Sequence, residues 1–167
     1  MGFFAFDKAP HEFLCRTSLQ QVWLAYHKDG RCEAVKQELA WDDYWRRGFV
    51  ALASVTDMDE LMYIGHSHVP HHLQNKGWGK EAHGARLLKL MEWGARGFAC
   101  LTYFEVGRPV YEPAQESILK FYGWSPSRQF TNPIGSGHVL WTLTDPDLEN
   151  VKLDYEQAKG HRIAKGK

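Results

Sequence analysis

Apolar positions along the chain change period several times, and the changes mark out the elements. Phe49 to Val55 and Leu61 to Val69 are β-rich runs separated by the polar stretch Thr56-Asp57-Met58-Asp59-Glu60, which predicts an antiparallel hairpin. Strict alternation in the second run puts Ile64, His66 and His68 on one face and Gly65, Ser67 and Val69 on the other. From Trp78 to Arg96 the period lengthens to that of a helix. Gly84, Leu87, Leu88, Met91 and Ala95 fall on one stripe, Glu81, Lys89 and Glu92 fall elsewhere, and Gly97 stands as the C′ glycine. Phe98 to Val106 is apolar almost throughout, as expected of a central strand covered on both faces and parallel to its predecessor.

The C-terminal third continues the same grammar. Glu112-Pro113 opens a short helix that runs through Phe121 and stops at Gly123. Gly135-Ser136-Gly137 turns the chain into a last strand, His138 to Leu143, and Thr144-Asp145-Pro146-Asp147 caps a helix to about Ala158. Lys159 to Lys167 reads as a basic, disordered tail, so the expectation is one domain over residues 1–158 followed by that tail. Residues 1–48 are less legible. Phe3 to Phe6 suits a short strand, and Ser18 to His27 suits either a helix capped by Ser18 or, with Lys28-Asp29-Gly30-Arg31 behind it, half of a hairpin. Glu33 to Arg47 is helical in pattern, with Gly48 as its stop.

The joint between strand and helix holds the chemistry: Val69-Pro70-His71-His72-Leu73-Gln74-Asn75-Lys76-Gly77-Trp78-Gly79-Lys80. A helix N-terminus leaves backbone N–H groups unpaired and carries partial positive charge, so a loop free of bulky Cβ atoms entering it can wrap a phosphate. Gly77 and Gly79 supply the freedom and Lys76 and Lys80 add cations. A Walker A loop would need Ser or Thr after the lysine, where Glu81 stands. A dinucleotide fingerprint would need its last glycine at Ala82 and an acidic residue some twenty positions on, near Arg96 and Phe98.

Gln74-Asn75-Lys76-Gly77-Trp78-Gly79, following a Val-Pro strand end, resembles the acyl-CoA binding loop of the GNAT superfamily of N-acyltransferases. Ile118-Leu119-Lys120-Phe121-Tyr122-Gly123-Trp124 is similar to the helix end and Gly-aromatic turn that close that family's core, and the resemblance spans residues 49–143. It implies an α/β fold of the α+β kind, with a central mixed β-sheet flanked by helices, acetyl-CoA as acyl donor, and an N-acetyltransferase that moves the acetyl group to a primary amine by direct attack. The resemblance implies that Val69, Gln74, Asn75, Lys76, Gly77, Trp78, Gly79 and Lys80 hold the donor, with Lys120 near its ribose phosphate. It implies that the Val69 N–H meets the thioester oxyanion and that the histidine-bearing strand runs beside the thioester.

Acyl transfer to an amine needs a base, because an ammonium titrates near 10.4, and histidine is suited to the task by its own pKa. His68 is the first candidate for it and His66 the second. The position that commonly holds the family's leaving-group tyrosine is Leu119 here, so Tyr122, three residues on, is the candidate acid, with packing as its plainer reading. The alternative to an enzyme is a GNAT-like module that binds CoA or a protein without turnover. His66, His68, His71 and His72 are dense enough to suggest zinc, but no Cys or carboxylate is spaced to complete a tetrahedron, and no metal is expected.

Composition narrows the class without naming a substrate. At 167 residues with 44% hydrophobic and 24% charged positions the chain is long enough to bury a full core. Lys+Arg 20 against Asp+Glu 20 argues against coating nucleic acid or an acidic membrane. Cys15, Cys32 and Cys100, widely spaced and odd in number, suit free thiols in a reducing cytoplasm, and no stretch is long and apolar enough for a signal peptide or a membrane span. The expected partners are a small-molecule or peptide amine and, as an open option, a second copy in a homodimer; the expected location is cytoplasmic.

Overall fold

The computed structural model of the protein describes residues 21–35, 46–58, 61–104, 113–131 and 133–166. Its strands are β1 (Gln21–His27), β2 (Cys32–Val35), β3 (Phe49–Met58), β4 (Leu61–His68), β5 (Gly97–Phe104), β6 (Ser125–Thr131) and β7 (Gly137–Thr144). They form one sheet in the order β2-β1-β3-β4-β5-β7-β6. The helices are α1 (Trp78–Glu92), α2 (Pro113–Phe121) and α3 (Leu148–Lys165), and a short 3-10 turn, His71–Leu73, precedes α1. The mixed α/β architecture expected from the sequence is present.

Between Ser18 and His27 the hairpin reading holds for the described part. Gly30, at φ 96°, turns the chain, and the Asp29 carboxylate accepts from the Arg31 backbone N–H at 3.1 Å and its Nε at 2.9 Å. Glu33 to Val35 therefore belong to β2, not to a helix, and residues 36–45 lie outside the described set. The first strand suggested for Phe3 to Phe6 also lies outside it.

β3 and β4 pair antiparallel as expected, yet the simple alternation of β4 fails. The register runs from Met58↔Leu61 to Ser54↔Gly65 and then resumes at Leu52↔His68, so β4 has one more residue than β3 across that interval. Such a bulge turns the strand by one side-chain position. His68 consequently lies opposite Leu52, on the face of Gly65 and Ser54, whereas Met62 and Ile64 point into the core beneath α1.

α1 lies on the sheet, its Leu87 and Leu90 packed with Leu24, Ala53, Val55 and Phe98. It ends sooner than Gly97. Gly94, at φ 103°, is the C′ residue, with Ala95 N–H donating to Leu90 O at 2.9 Å and Gly94 N–H to Met91 O at 3.0 Å, the two bonds of a Schellman motif. Gly97 instead opens β5. β6 has no counterpart in the hydrophobic pattern, because it is an edge strand with all seven residues exposed.

α3 starts where the capping signal places it, with Asp147 Oδ2 accepting from Asn150 N–H at 3.3 Å. It continues to Lys165, well beyond Ala158, so the stretch read as a disordered tail is helical through that residue. Its first turns share a groove with Leu88 and Met91 near the end of α1, and Arg162 reaches Glu81 in the first turn of α1. The helix thus runs back along α1 and covers it. That explains why Glu81, expected away from the core stripe, is fully buried along with His83 and Arg86.

Candidate functional site

β4 and β5 form the one parallel pair among the described strands, and their register is short: Met62↔Phe98 and Tyr63↔Ala99. Beyond those two positions both strands continue, β4 to His68 and β5 to Phe104, without pairing to each other. Strand ends that diverge in this way leave a wedge at the carboxyl ends of parallel strands, where α/β sheets place their ligands. β5 is held on its other side by β7 over its full length, Gly97↔Thr144 to Phe104↔Gly137.

The loop from Pro70 to Gly77 closes the end of this wedge. Leu73 N–H donates to Pro70 O at 2.9 Å and Gln74 N–H to His71 O at 3.2 Å, which makes the compact turn. Asn75 at φ 62° and Gly77 at φ 89° then take left-handed conformations that swing the chain into α1. The first helical bond is Glu81 N–H to Gly77 O at 3.2 Å. From Asn75 to Lys80 no backbone N–H donates to a carbonyl of the described residues. Backbone N–H groups left open at a helix N-terminus have the polarity that anions take up.

Residues named from the sequence divide at this point. Asn75, Lys76, Gly77, Trp78, Gly79 and Lys80 all contribute backbone to the open turn. Gln74 does not, because its amide is used by His71 O and its Nε2 donates to Val69 O at 2.9 Å; it braces the loop against the end of β4. The side chain of Trp78 is buried, 6.4 Å from the Tyr26 ring and beneath the Arg162 guanidinium at 4.3 Å, so it is a core residue whose amide alone faces the turn. Lys120 and Lys76 are exposed. His68 is exposed at the wedge end of β4, and the side chain of His66 lies outside the described residues.

Tyr122 has the packing expected of its plainer reading. It is buried, its hydroxyl donates to Lys80 O at 2.7 Å, and it sits so close to α1 that a Cβ on Gly84 would collide with its ring. Burial, reinforced by the charges of Asp154 and Tyr155, pushes its pKa well above the usual range. A phenol held in this way fastens α2 to α1 and commits its proton to Lys80 O. Leu119, at the family's tyrosine position, is fully buried in the core.

Two groups of site neighbours carry no signal in the sequence. On α2, Glu116 is buried and accepts from Thr102 Oγ1 at 3.4 Å, while Thr102 accepts from Trp141 Nε1 at 2.9 Å, tying α2 to β5 and β7. At the loop, Arg162 Nε donates to Glu81 Oε1 at 2.8 Å, and a Cβ on Gly77 would lie 2.9 Å from the Arg162 Cα. Lys80 Nζ donates to His161 Nδ1 at 3.2 Å and lies 4.2 Å from the centre of the Phe121 ring. Its pKa is lowered, first by burial and then by the charge of Lys165. A covering helix from the far end of the chain could not be anticipated from spacing.

No protein-family model and no curated sequence matches the chain. Solved structures do. An acetyltransferase from Bacillus cereus ATCC 14579 superposes with a TM-score of 0.50 at 12% identity, over 86% of this chain and 90% of that one. A Bacillus anthracis str. Ames protein assigned as a streptothricin acetyltransferase, in complex with acetyl coenzyme A, superposes with a TM-score of 0.50 at 11% identity over 76% and 86%. The ribosomal-protein-S18-alanine N-acetyltransferase of Escherichia coli aligns at 13% identity and a TM-score of 0.47, over 60% of this chain and 64% of that one, less than two thirds of its length. Identities this low speak for architecture alone, and on that ground the chain has the fold of the GNAT acyl-CoA N-acyltransferases.

Proposed function

We propose that this protein is an N-acetyltransferase that takes acetyl-CoA as donor and a primary amine as acceptor. The observation that carries the reading is the set of uncommitted amides from Asn75 to Lys80, placed where β4 and β5 part. A pyrophosphate suits those amides in charge and in number of acceptor oxygens. The unpaired inner edges of β4 and β5 suit an extended arm carrying amides of its own, and the Val69 N–H, at the end of β4, is the donor nearest in sequence to the turn for a developing oxyanion.

In this reading the amine nitrogen attacks the thioester carbonyl, a C–N bond forms and the C–S bond breaks. His68 accepts the proton of the attacking amine, directly or through water. With Leu119 buried and the Tyr122 hydroxyl engaged, the departing thiolate takes its proton from solvent. The acceptor is an amine whose further identity is left to a substrate panel. Release of free thiol from acetyl-CoA across amines of different size, with His68→Ala as comparison, tests the reading; a panel without thiol release rejects it.

The second reading is a module that binds CoA or a protein without turnover, and the buried Leu119 favours it. It predicts protection against heat by CoA with no thiol released from acetyl-CoA. Cytoplasmic location and a homodimer remain proposals; no helix among the described residues is long and apolar enough to cross a membrane.

A further inference from the structure

Three of the four cationic Lys and Arg side chains of α3 are paired with carboxylates. Lys152 pairs with Glu149 at 3.5 Å, Lys159 with Glu156 at 3.5 Å, and Arg162 with Glu81 at 2.8 Å. Lys165 and Lys80 have no carboxylate within ion-pair distance among the described residues, and Lys80 is bonded to an imidazole instead. The Lys80 ammonium and the His161 ring thus meet at the first turn of α1, and Lys165 stands one helical turn beyond His161 on the same face of α3. A lysine at a helix C-terminus can be explained by the helix dipole alone. That account does not explain Lys80, which stands in the first turn of α1, where the dipole disfavours a cation.

The bond between Lys80 and His161 also fixes the ring. An ammonium can only donate, so Nδ1 accepts and the ring proton sits on Nε2, free to donate outward. Phe121 forms the floor of the cluster, 4.2 Å below Lys80 Nζ and 6.0 Å from the His161 ring.

Resting on the donor reading above, we propose that Lys80, His161 and Lys165 form a second anion site beside the pyrophosphate turn, and that it takes a phosphate monoester: the 3′-phosphate of CoA. The helix that follows β7 would then serve donor selection, separating CoA from its 3′-dephospho form. A phosphate there places its oxygens against two ammonium groups and one imidazole N–H, charge-assisted bonds that a ribose hydroxyl cannot replace.

The test compares CoA and 3′-dephospho-CoA by calorimetric titration on the full chain, in the original protein and in His161→Ala, Lys165→Ala and the double variant. Both side chains are exposed, so thermal melting without ligand should be unchanged and serves as the control. CoA should bind at least about tenfold more tightly than its dephospho form, and the double variant should bring the two within about twofold by weakening CoA alone. Equal binding of both ligands by the original protein, or an equal loss for both in the variants, overturns the second site and leaves the donor reading standing. Binding of neither ligand overturns both the second site and the donor reading. Inorganic phosphate that competes with CoA but not with dephospho-CoA would support a site specific for a monoester.

Discussion

The hydroxyl of Tyr122, in the turn that ends α2, donates to the backbone carbonyl of Lys80, in the first turn of α1, at 2.7 Å. The bond fastens the two helices together beside the loop that leads from β4 into α1. Tyr122→Phe removes the donor and leaves a part-buried carbonyl short of one partner, at a cost of about 1 kcal/mol. Chemical denaturation should show that loss while thiol release per folded molecule stays within about twofold of the original. A fall of a hundredfold or more in turnover at unchanged stability would restore the phenol to a role in chemistry.

Gly77 and Gly79 sit two residues apart and should respond oppositely to alanine. Gly77 has φ 89° and a new Cβ would stand 2.9 Å from the Arg162 Cα, which is backbone and cannot rotate away. Gly77→Ala should cost more than the roughly 1–2 kcal/mol of a left-handed alanine and should weaken CoA binding as the turn reshapes. Gly79 is helical, and its new Cβ would meet Ile118 and Val69 at 3.5 and 3.6 Å, ordinary contact. Gly79→Ala should be neutral or stabilising by up to about 1 kcal/mol, measured by the same melts.

Arg162→Ala strands the Glu81 carboxylate, whose side chain is 1% exposed. Breaking a buried pair from one side costs roughly 3–5 kcal/mol, and the 26% exposure of Arg162 puts the expectation at the low end. Lys165→Ala, a few residues on, should leave the melting temperature unchanged. A pair of equal melting curves would show that Glu81 finds its stabilisation elsewhere.

His83 lies between the rings of Tyr122 and Trp124, with centroids at 5.3 and 5.5 Å. Burial, with Arg86 beside it, pushes its pKa down to about 3 from the ordinary value of 6.5. Between those values the unfolded chain holds a proton that the folded chain does not. The contribution is therefore fully present above pH 6.5 and is lost as pH falls toward 3, at no more than about 1.4 kcal/mol per pH unit. Denaturant titrations at pH 7.5, 6 and 5 should show the decline, and His83→Gln should flatten it. A slope untouched by that substitution would assign the acid sensitivity to other groups.

The sequence made the local geometry legible where period and punctuation agree, as in the β3–β4 hairpin, the turn at Gly77 and the cap at Asp147. It misled where a single inserted residue changes a face. Nothing in Gly65-His66-Ser67-His68 announces the bulge, yet the bulge moves His68 from the side of Ile64 to the side of Leu52. Long-range cover was equally invisible. Glu81 reads as a solvent residue on any helical wheel, and only the return of α3 along α1 explains its burial. Tyr122 was placed at the correct turn, but its direction is set by the closeness of α1, which Gly84 permits and the motif does not express.

The two-rung seam Met62–Phe98 and Tyr63–Ala99 has a mechanical consequence. The sheet behaves as two stiff plates, one of four strands and one of three, joined along a line shorter than either plate is wide. Spreading the plates would break only those two rungs, which makes the seam the sheet's weakest line of backbone bonding. A thread that supplies rungs of its own stitches the plates together, and the molecule stiffens most along the line where it was least fastened.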